Sequence, residues 1–357
     1  MSPIAVALDM TFPNRNRGGT GVYARSLLEA LRNRDDVSAK EIAGPLRSNV
    51  AGTLAWLVSG AARDVRALGS QVLHCPSFVI PWGVRAPVVV TVHDAAARQV
   101  PGGHPLEWRL YDRVILPRRL QAAACVITDS KTARDDIVRE YGIAAARVTV
   151  IPLGVDARFF AADGGNPYRP GDHNLLFPGA PIPRKNIDAV LEAMVAGSAG
   201  SAISAAHLDI SGATALDFPD VAWKIDHLGL RDRVRWLGHV PDSEMPAVVA
   251  RASAVLYPSL AEGFGLPVLE AFAAGVAVVS SNRGPIPELS GDAAMLVDPT
   301  DVKALRDAIE AVLTNAELRA ALQSRGASRA KHYTWEKCAE MTCDVYRSVI
   351  TEGRVRS

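Results

Sequence analysis

Two α/β domains, each a doubly wound parallel sheet, are what three observations predict. Short continuous apolar runs alternate with helix-period segments along the chain, the pattern of βαβ units whose strands are covered on both faces. The alternation breaks in a Pro- and Gly-rich stretch near the middle and then restarts. The length, 357 residues, suits two cores better than one, since domains run roughly 100–200 residues.

The first run, Pro3-Ile-Ala-Val-Ala-Leu-Asp9, reads as a buried strand. A loop, Arg17-Gly-Gly-Thr-Gly21, follows, and Ala24, Leu27, Leu28 and Leu31 then mark one helix face. Strands are read at Val72–His74, Pro87–Val92, Cys125–Thr128 and Val148–Ile151, with helices over 107–121 and 130–141. Pro152-Leu-Gly-Val-Asp156 and the stretch Asp163–Gly171 form the candidate linker. Beyond it, strands are read at Leu175–Phe177 and near 207–210, 234–237, 254–257 and 276–280. A helix carries Ile187, Val190, Leu191 and Met194, and 301–332 and 335–350 read as helical. The expected domains are 1–165 and 166–332, with a last helix within 333–357.

Composition excludes several classes. At 48% hydrophobic and 22% charged residues, the chain is neither disordered, collagen-like nor a coiled coil. Aromatics are only 6%, so the core is expected to be small and aliphatic. Cys75, Cys125, Cys338 and Cys343 contain no CxxC pair, which argues against a disulfide scaffold or zinc ribbon and fits a reducing cytosol. No apolar run approaches the roughly 18 residues of a membrane span, and Met1–Asp9 lacks the features of a signal peptide. A cytoplasmic protein is therefore expected. Residues 1–165 hold 20 Lys and Arg against 15 Asp and Glu, and the remainder 19 against 23. That asymmetry is too mild for a nucleic-acid binder, but it suggests that the first half faces something anionic.

The most informative segment is Pro258-Ser-Leu-Ala-Glu-Gly-Phe-Gly-Leu-Pro-Val-Leu-Glu-Ala-Phe-Ala-Ala-Gly275. It follows a strand. Pro267 suits a first helical turn and Gly275 the position just past the helix end. Glu262 then lies in the loop and Glu270 one turn into the helix. Gly263 and Gly265 place backbone N–H groups at a helix N-terminus, an anion site. A phosphate there would lie between two carboxylates able to hold sugar hydroxyls. Two glutamates eight apart are by themselves most often ordinary surface residues, and it is the strand–Gly loop–Pro–helix context that makes them a candidate site. Arg184-Lys185 precede a helix start at Asn186, a good N-cap type, and adjacent cations there suit a diphosphate. His93 ends the Val88–Val92 run, at the carboxyl edge where doubly wound sheets place ligands, with Asp94 next to it to orient it. Gly18-Gly19 would let the backbone approach a ligand, though the loop is not a full G-x-G-x-x-G and a tight turn reads equally well. No D-x-D or other metal site is evident. Asp35-Asp36 and Asp135-Asp136 read as solvated pairs.

Glu262-Gly-Phe-Gly-Leu-Pro-Val-Leu-Glu270 resembles the E-x7-E signature of glycosyltransferase family 4, retaining enzymes of the GT-B fold that use nucleotide sugars. Gly18-Gly19, Thr91-Val-His-Asp94, Ile151-Pro-Leu-Gly-Val-Asp156, Pro183-Arg-Lys-Asn186, Leu237-Gly-His-Val240 and Gly291-Asp-Ala-Ala294 extend the resemblance over nearly the whole chain. Within the family the pattern is most similar to bacterial mannosyl- and rhamnosyltransferases of surface-polysaccharide assembly. The resemblance implies two Rossmann-like domains facing a cleft, with the last helix crossing back to the first domain. It implies that Glu262 contacts the donor sugar and Glu270 the ribose, and that the backbone around Phe264, Gly265 and Leu266 meets the sugar and diphosphate. Arg184 and Lys185 then hold the diphosphate without a metal, Gly18 and Gly19 close over it, and His93 works at the donor sugar. The nucleotide base rests near Gly238–Val240. One departure stands out: many relatives carry Arg, Ser or Thr where this chain has Ala180, after Gly179.

Residues 107–120 mix Trp108, Leu110 and Tyr111 with Arg109, Arg113, Arg118 and Arg119. They read either as a core-facing helix whose arginines are solvated or pair with Glu107 and Asp112, or as a surface for an anionic lipid-linked acceptor at the inner face of a membrane. The expected partners are a nucleotide diphosphate sugar and a glycan or lipid-linked acceptor, with no cofactor and no nucleic acid. Two other functions fit the chain less well: a catalytically silent nucleotide-sugar-binding subunit, and a GT-B-fold epimerase. The intact Glu262, Glu270, Lys185 and His93 argue against the first, and the E-x7-E context against the second.

Overall fold

Among the described residues, twelve strands form two six-stranded sheets in which every strand pair is parallel. The computed structural model describes residues 3–16, 18–44, 55–99, 109–161, 173–197 and 200–356. The chain divides into two units. The first comprises Met1–Arg98, His104–Gly154 and Thr334–Ser357, and the second Gln99–Gly103 and Val155–Tyr333.

The first sheet contains β1 (Ile4–Asp9), β2 (Val37–Ile42), β3 (Val72–Cys75), β4 (Val88–Thr91), β5 (Cys125–Thr128) and β6 (Val148–Val150) in the order β2-β1-β3-β4-β5-β6. Val6, Leu8, Leu73, Val90, Val126 and Ile127 are buried, so the central strands are mostly apolar, as strands covered on both faces are. The helix Gly19–Arg32 buries the anticipated face of Ala24, Leu27, Leu28 and Leu31. Lys131–Tyr141 starts on Ser130, whose side chain accepts from Ala133 N, and stops at Gly142 in the left-handed region.

The second sheet contains β7 (Asn174–Phe177), β8 (His207–Ser211), β9 (Val234–Gly238), β10 (Ala254–Tyr257), β11 (Ala277–Ser281) and β12 (Met295–Val297) in the order β12-β11-β10-β7-β8-β9. The 301–332 region is two helices, Val302–Thr314 and Ala316–Ala330. Asn315 divides them, its side chain accepting from Leu318 N and so capping the second. The helix Leu266–Ala273 ends in a Schellman turn, with Gly275 N donating to Phe272 O and Val276 N to Ala271 O. That helix packs closely on Ala316–Ala330: a Cβ at Gly326 would lie 2.7 Å from Phe272 Cδ1.

Strand order reverses between β1 and β3 in the first sheet and between β7 and β10 in the second. The carboxyl ends of strands at such a reversal are where doubly wound sheets hold ligands.

Two strands were not anticipated, β2 and β12, and both lie at sheet edges. β2 carries Ser38, Lys40 and Glu41, and β12 is three residues long. Edge strands are often polar or short, so neither offers a continuous apolar run. The expected linker is ordered at its start. A Cβ at Gly154 would lie 2.3 Å from Trp335 N, so Gly154 packs directly on the backbone that opens the C-terminal helix Trp335–Arg356. The stretch 163–171 lies outside the described residues.

Candidate active site

The second sheet's reversal point is built from two loops, one after β7 and one after β10. Gly179 follows β7 with φ 85°. Its N–H donates to Ser211 Oγ at 3.0 Å, and a Cβ on it would lie 2.2 Å from Lys185 Nζ. That φ favours glycine, and any Cβ there would displace the ammonium. The turn Pro183–Lys185 brings the two cations forward. Lys185 Nζ donates to Pro178 O at 2.9 Å and lies 5.6 Å from the centre of the Tyr257 ring. Burial lowers the Lys185 pKa to about 8, partly offset by Glu262 and Glu270 and reinforced by Arg184.

Asn186 does not cap the helix Ile187–Val195 with its side chain. It sits in the left-handed region at φ 61°, and its amide donates to Pro258 O and Pro299 O at 3.2 and 2.6 Å. Those bonds cross-brace the loops, which is why an N-cap type at this position serves tertiary packing instead.

After β10, Glu262 is nearly buried, its side chain 9% exposed. Its Oε1 lies 2.6 Å from Arg184 Nη1 and accepts from Tyr257 OH at 2.7 Å. Gly263, Phe264, Gly265 and Leu266 are buried, and Phe264 packs edge-to-face on Tyr333 at 6.0 Å. Gly265 opens the helix Leu266–Ala273 at φ 102°. A Cβ there would meet Ile286 Cδ1 at 2.6 Å, so both backbone and space require glycine. Glu270, in the middle of that helix, keeps partial solvent access. Desolvation pushes its pKa up to about 8, against the pull of Lys185 and with a push from Asp242 and Asp156. Glu262, Glu270, Arg184 and Lys185 thus share one electrostatic environment. Val240 is buried beyond the end of β9, two strands from the reversal.

In the first unit His93 follows β4. Its Nδ1 is bonded to Asp129 Oδ2 at 2.8 Å. Asp94 is not hydrogen-bonded to His93: its carboxylate accepts from Ala96 N at 3.0 Å in a local turn just before the short helix Ala96–Gln99. His93 Nε2 and Asp129 Oδ1 are buried with no hydrogen-bond partner among the described residues. Desolvation opposes the charged imidazole, yet Asp129 and Asp94 raise the His93 pKa overall. Behind His93 runs a buried polar chain. Tyr346 OH meets His74 Nδ1 at 2.6 Å, His74 Nε2 meets Thr91 Oγ1 at 2.9 Å, and Thr91 Oγ1 meets Tyr23 OH at 2.9 Å. The Tyr23 ring then packs edge-on against His93 at 4.8 Å. Burial drops the His74 pKa to about 3, so it links the hydroxyls as a neutral imidazole. Gly18 caps the helix Gly19–Arg32, its N–H donating to Asn16 Oδ1 at 2.6 Å. The close approach in this loop falls at Gly21, where a Cβ would lie 1.8 Å from Asn16 O, while a Cβ on Gly19 meets open space.

Sequence reasoning missed Tyr257, Ser211 and Asp129. Asp129 had a readable signal, a carboxylate at the carboxyl end of an apolar run, which is the same rule that selects His93. Tyr257 and Ser211 also end strands, but nothing in their spacing pairs them with Glu262 or Gly179. Among the described residues, no cluster of three His, Cys, Asp or Glu side chains could hold a metal ion.

Two doubly wound parallel sheets, with two carboxylates and a lysine beside a glycine-opened helix, fit the expectation drawn from the E-x7-E segment. Residues 17–159 match Glycosyltransferase Family 4 and residues 165–329 match Glycosyl transferases group 1. The chain is 32% identical to the O-antigen chain mannosyltransferase B of Escherichia coli, over 80% of this chain and 76% of that protein. It is 29% identical to the MMP alpha-(1->4)-mannosyltransferase of Mycolicibacterium hassiacum, over 80% and 70%. In fold it matches a sucrose-phosphate synthase from Thermosynechococcus elongatus with a TM-score of 0.79 at 22% identity, over 98% of this chain and 100% of that one. It also matches Anabaena HepE, solved with UDP-glucose, with a TM-score of 0.77 at 16% identity, over 97% and 100%. The chain belongs to the family 4-like glycosyltransferases of the GT-B fold and is an enzyme of that class.

Proposed function

We propose that the chain transfers a hexosyl or deoxyhexosyl group, mannose-like, from a nucleotide diphosphate sugar to an acceptor hydroxyl, with retention, in glycan or glycolipid assembly. The observation that carries this reading is the switch-point site, where Lys185 lies within electrostatic reach of both Glu262 and Glu270, on either side of the glycine that opens Leu266–Ala273. Relatives named as mannosyltransferases favour the sugar, and structural neighbours solved with UDP and UDP-glucose favour the donor class. In this reading Glu262 meets the donor sugar, Glu270 the ribose hydroxyls and His93 Nε2 a sugar hydroxyl. The backbone from Gly263 to Leu266, with the helix dipole, meets charge building on the departing diphosphate. A thermal-shift panel of nucleotide sugars tests it, since a ligand at 100 times its dissociation constant stabilises by about 2.7 kcal/mol. Product NMR with the best donor then reads the anomeric configuration. No stabilisation by any nucleotide sugar, or an inverted product, would reject the reading. Incubation without acceptor separates transfer from epimerisation.

Lys185 is the proposed diphosphate ligand, in a site that works without a divalent cation. Lys185→Ala should weaken nucleoside diphosphate binding by about 1.5–3 kcal/mol, the range for a hydrogen bond to a charged group, and EDTA should leave transfer largely intact. Activity lost to EDTA and restored by a divalent cation would sink the metal-free mechanism.

The acceptor is proposed to be lipid-linked, with the enzyme peripheral at an anionic membrane. No helix among the described residues is long and apolar enough to cross one. A π-helical turn, Tyr111–Ile115, runs into the helix Leu116–Ala122. Leu110 and Val114 are 62% and 45% exposed beside the exposed Arg109, Arg113 and Arg118. Asp112 is taken by Arg98 at 2.7 Å. Arg119 belongs to the fold: it lies over the Trp82 ring at 5.2 Å and donates to Pro81 O. Trp108 and Glu107 lie outside the described residues. Replacing Arg109 and Arg113 with Ser should therefore weaken salt-sensitive binding to anionic vesicles, each cation contributing about 1 kcal/mol. Sedimentation at low salt that shows no binding, with full transfer to a water-soluble acceptor, would remove the membrane proposal alone.

A further inference from the structure

We infer that Arg184 and Tyr257 are positioning residues that hold the Glu262 carboxylate for the donor sugar, and that Arg184 does not grip the diphosphate. The inference rests on the proposed role of Glu262 and reassigns the arginine expected from sequence to hold phosphate.

Arg184 Nη1 and Tyr257 OH both reach Glu262 Oε1, at 2.6 and 2.7 Å. Both contacts fall on Oε1, which fixes the orientation of the carboxylate toward a ligand. A free glutamate loses rotamer freedom on binding, and fixing it beforehand removes that cost from the bound complex. Arg184 is itself built into the Glu262 loop. Its Nη1 also donates to Ala261 O at 3.1 Å, and its carbonyl accepts from Leu260 N at 2.7 Å. Two residues on, the Asn186 amide holds Pro258 O. The turn Pro183–Lys185 and the segment 258–262 are thus cast against each other. Drawing Arg184 away to a phosphate would strip Glu262 of its cation while Glu262 is nearly buried. Lys185 has no such engagement: its ammonium donates to a neutral carbonyl and faces an aromatic ring, so a diphosphate can take it without unpairing a carboxylate.

The test is a double-mutant cycle on the folded full chain with Arg184→Gln, Tyr257→Phe and Glu262→Gln. Two readouts are taken: the dissociation constant, by calorimetry, for whichever of ADP, GDP and UDP binds tightest, and the transfer rate with the matching nucleotide sugar. Arg184→Gln should leave the dissociation constant within about twofold and lower the transfer rate roughly 10- to 100-fold, the split expected of a group that acts on the reacting sugar. Combined with Glu262→Gln it should cost no more than Glu262→Gln alone, because a residue that acts only through its partner has nothing left to lose. Tyr257→Phe should follow the same non-additive pattern with a smaller loss, and Arg184→Lys should restore part of the rate. Tyr257→Phe removes a single hydroxyl, so it keeps the cycle readable if Arg184→Gln fails to fold. A dissociation constant raised about tenfold or more by Arg184→Gln, as expected for Lys185→Ala, would put Arg184 on the diphosphate, and so would additive losses with Glu262→Gln. An unchanged transfer rate in Glu262→Gln would instead break the assignment of Glu262 itself.

Discussion

Affinity for the nucleoside diphosphate should peak near pH 8 and fall by about threefold over the first pH unit on each side. The proposed ribose contact needs Glu270 ionised, and desolvation holds its pKa up at about 8. The proposed phosphate contact needs Lys185 charged, and burial holds its pKa down at about 8. Lowering the pH protonates the carboxylate, and raising it neutralises the ammonium. Glu270→Gln should flatten the acid limb and Lys185→Met the alkaline limb. Calorimetry between pH 6.5 and 9.5 avoids most of the ligand's own phosphate titration near pH 6. An affinity that is flat across that window, or equal in wild type and Glu270→Gln, would reject the ribose role. The unliganded protein carries the opposite sign at Glu270. Its raised pKa gives a contribution to stability that is full below the ordinary value of 4.5 and is lost as the pH rises through 8, because the folded state keeps a proton the unfolded chain releases.

Asp129→Asn should lower transfer by at least about 10²-fold, the scale for losing a carboxylate that orients a catalytic-site histidine. Asp129 holds His93 Nδ1 and favours the charged imidazole. The amide removes the charge and can turn an N–H toward Nδ1, so the His93 pKa should drop, which an NMR titration reads directly. Nucleoside diphosphate affinity should stay unchanged, since its proposed ligands lie in the other unit. Asp94→Asn should cost less, because the amide oxygen can still accept from Ala96 N. Full transfer in Asp129→Asn with loss in Asp94→Asn would reverse the assignment and make the sequence neighbour the orienting group.

Much of the fold and part of the site can be read directly from the chain. The central strands β1, β3, β4, β5, β7, β8, β10 and β11 are legible because strands buried on both faces must be apolar throughout. Of the four edge strands, β6 and β9 are legible, while β2 and β12 escape because β2 is half polar and β12 is three residues long. Glu262, Gly265 and Glu270 are legible because a strand, a glycine loop, a proline and a helix leave a local signature.

Sequence by itself thus determined the fold class, the helix start between the two glutamates, and the histidine at the end of β4, all consequences of periodicity and of backbone requirements acting within a few residues. Tertiary structure alone decided which groups face one another. Asp129, not the adjacent Asp94, holds His93 across 36 residues. Arg184 meets Glu262 rather than standing clear of it. Asn186 braces two loops instead of capping a helix, and Tyr346 reaches His74 across 272 residues. The physical reason is that parallel strands pair only through long crossovers. Residues far apart in the chain therefore share one carboxyl edge, and hydrogen bonding among them follows the order of strands in the sheet rather than their order in the sequence.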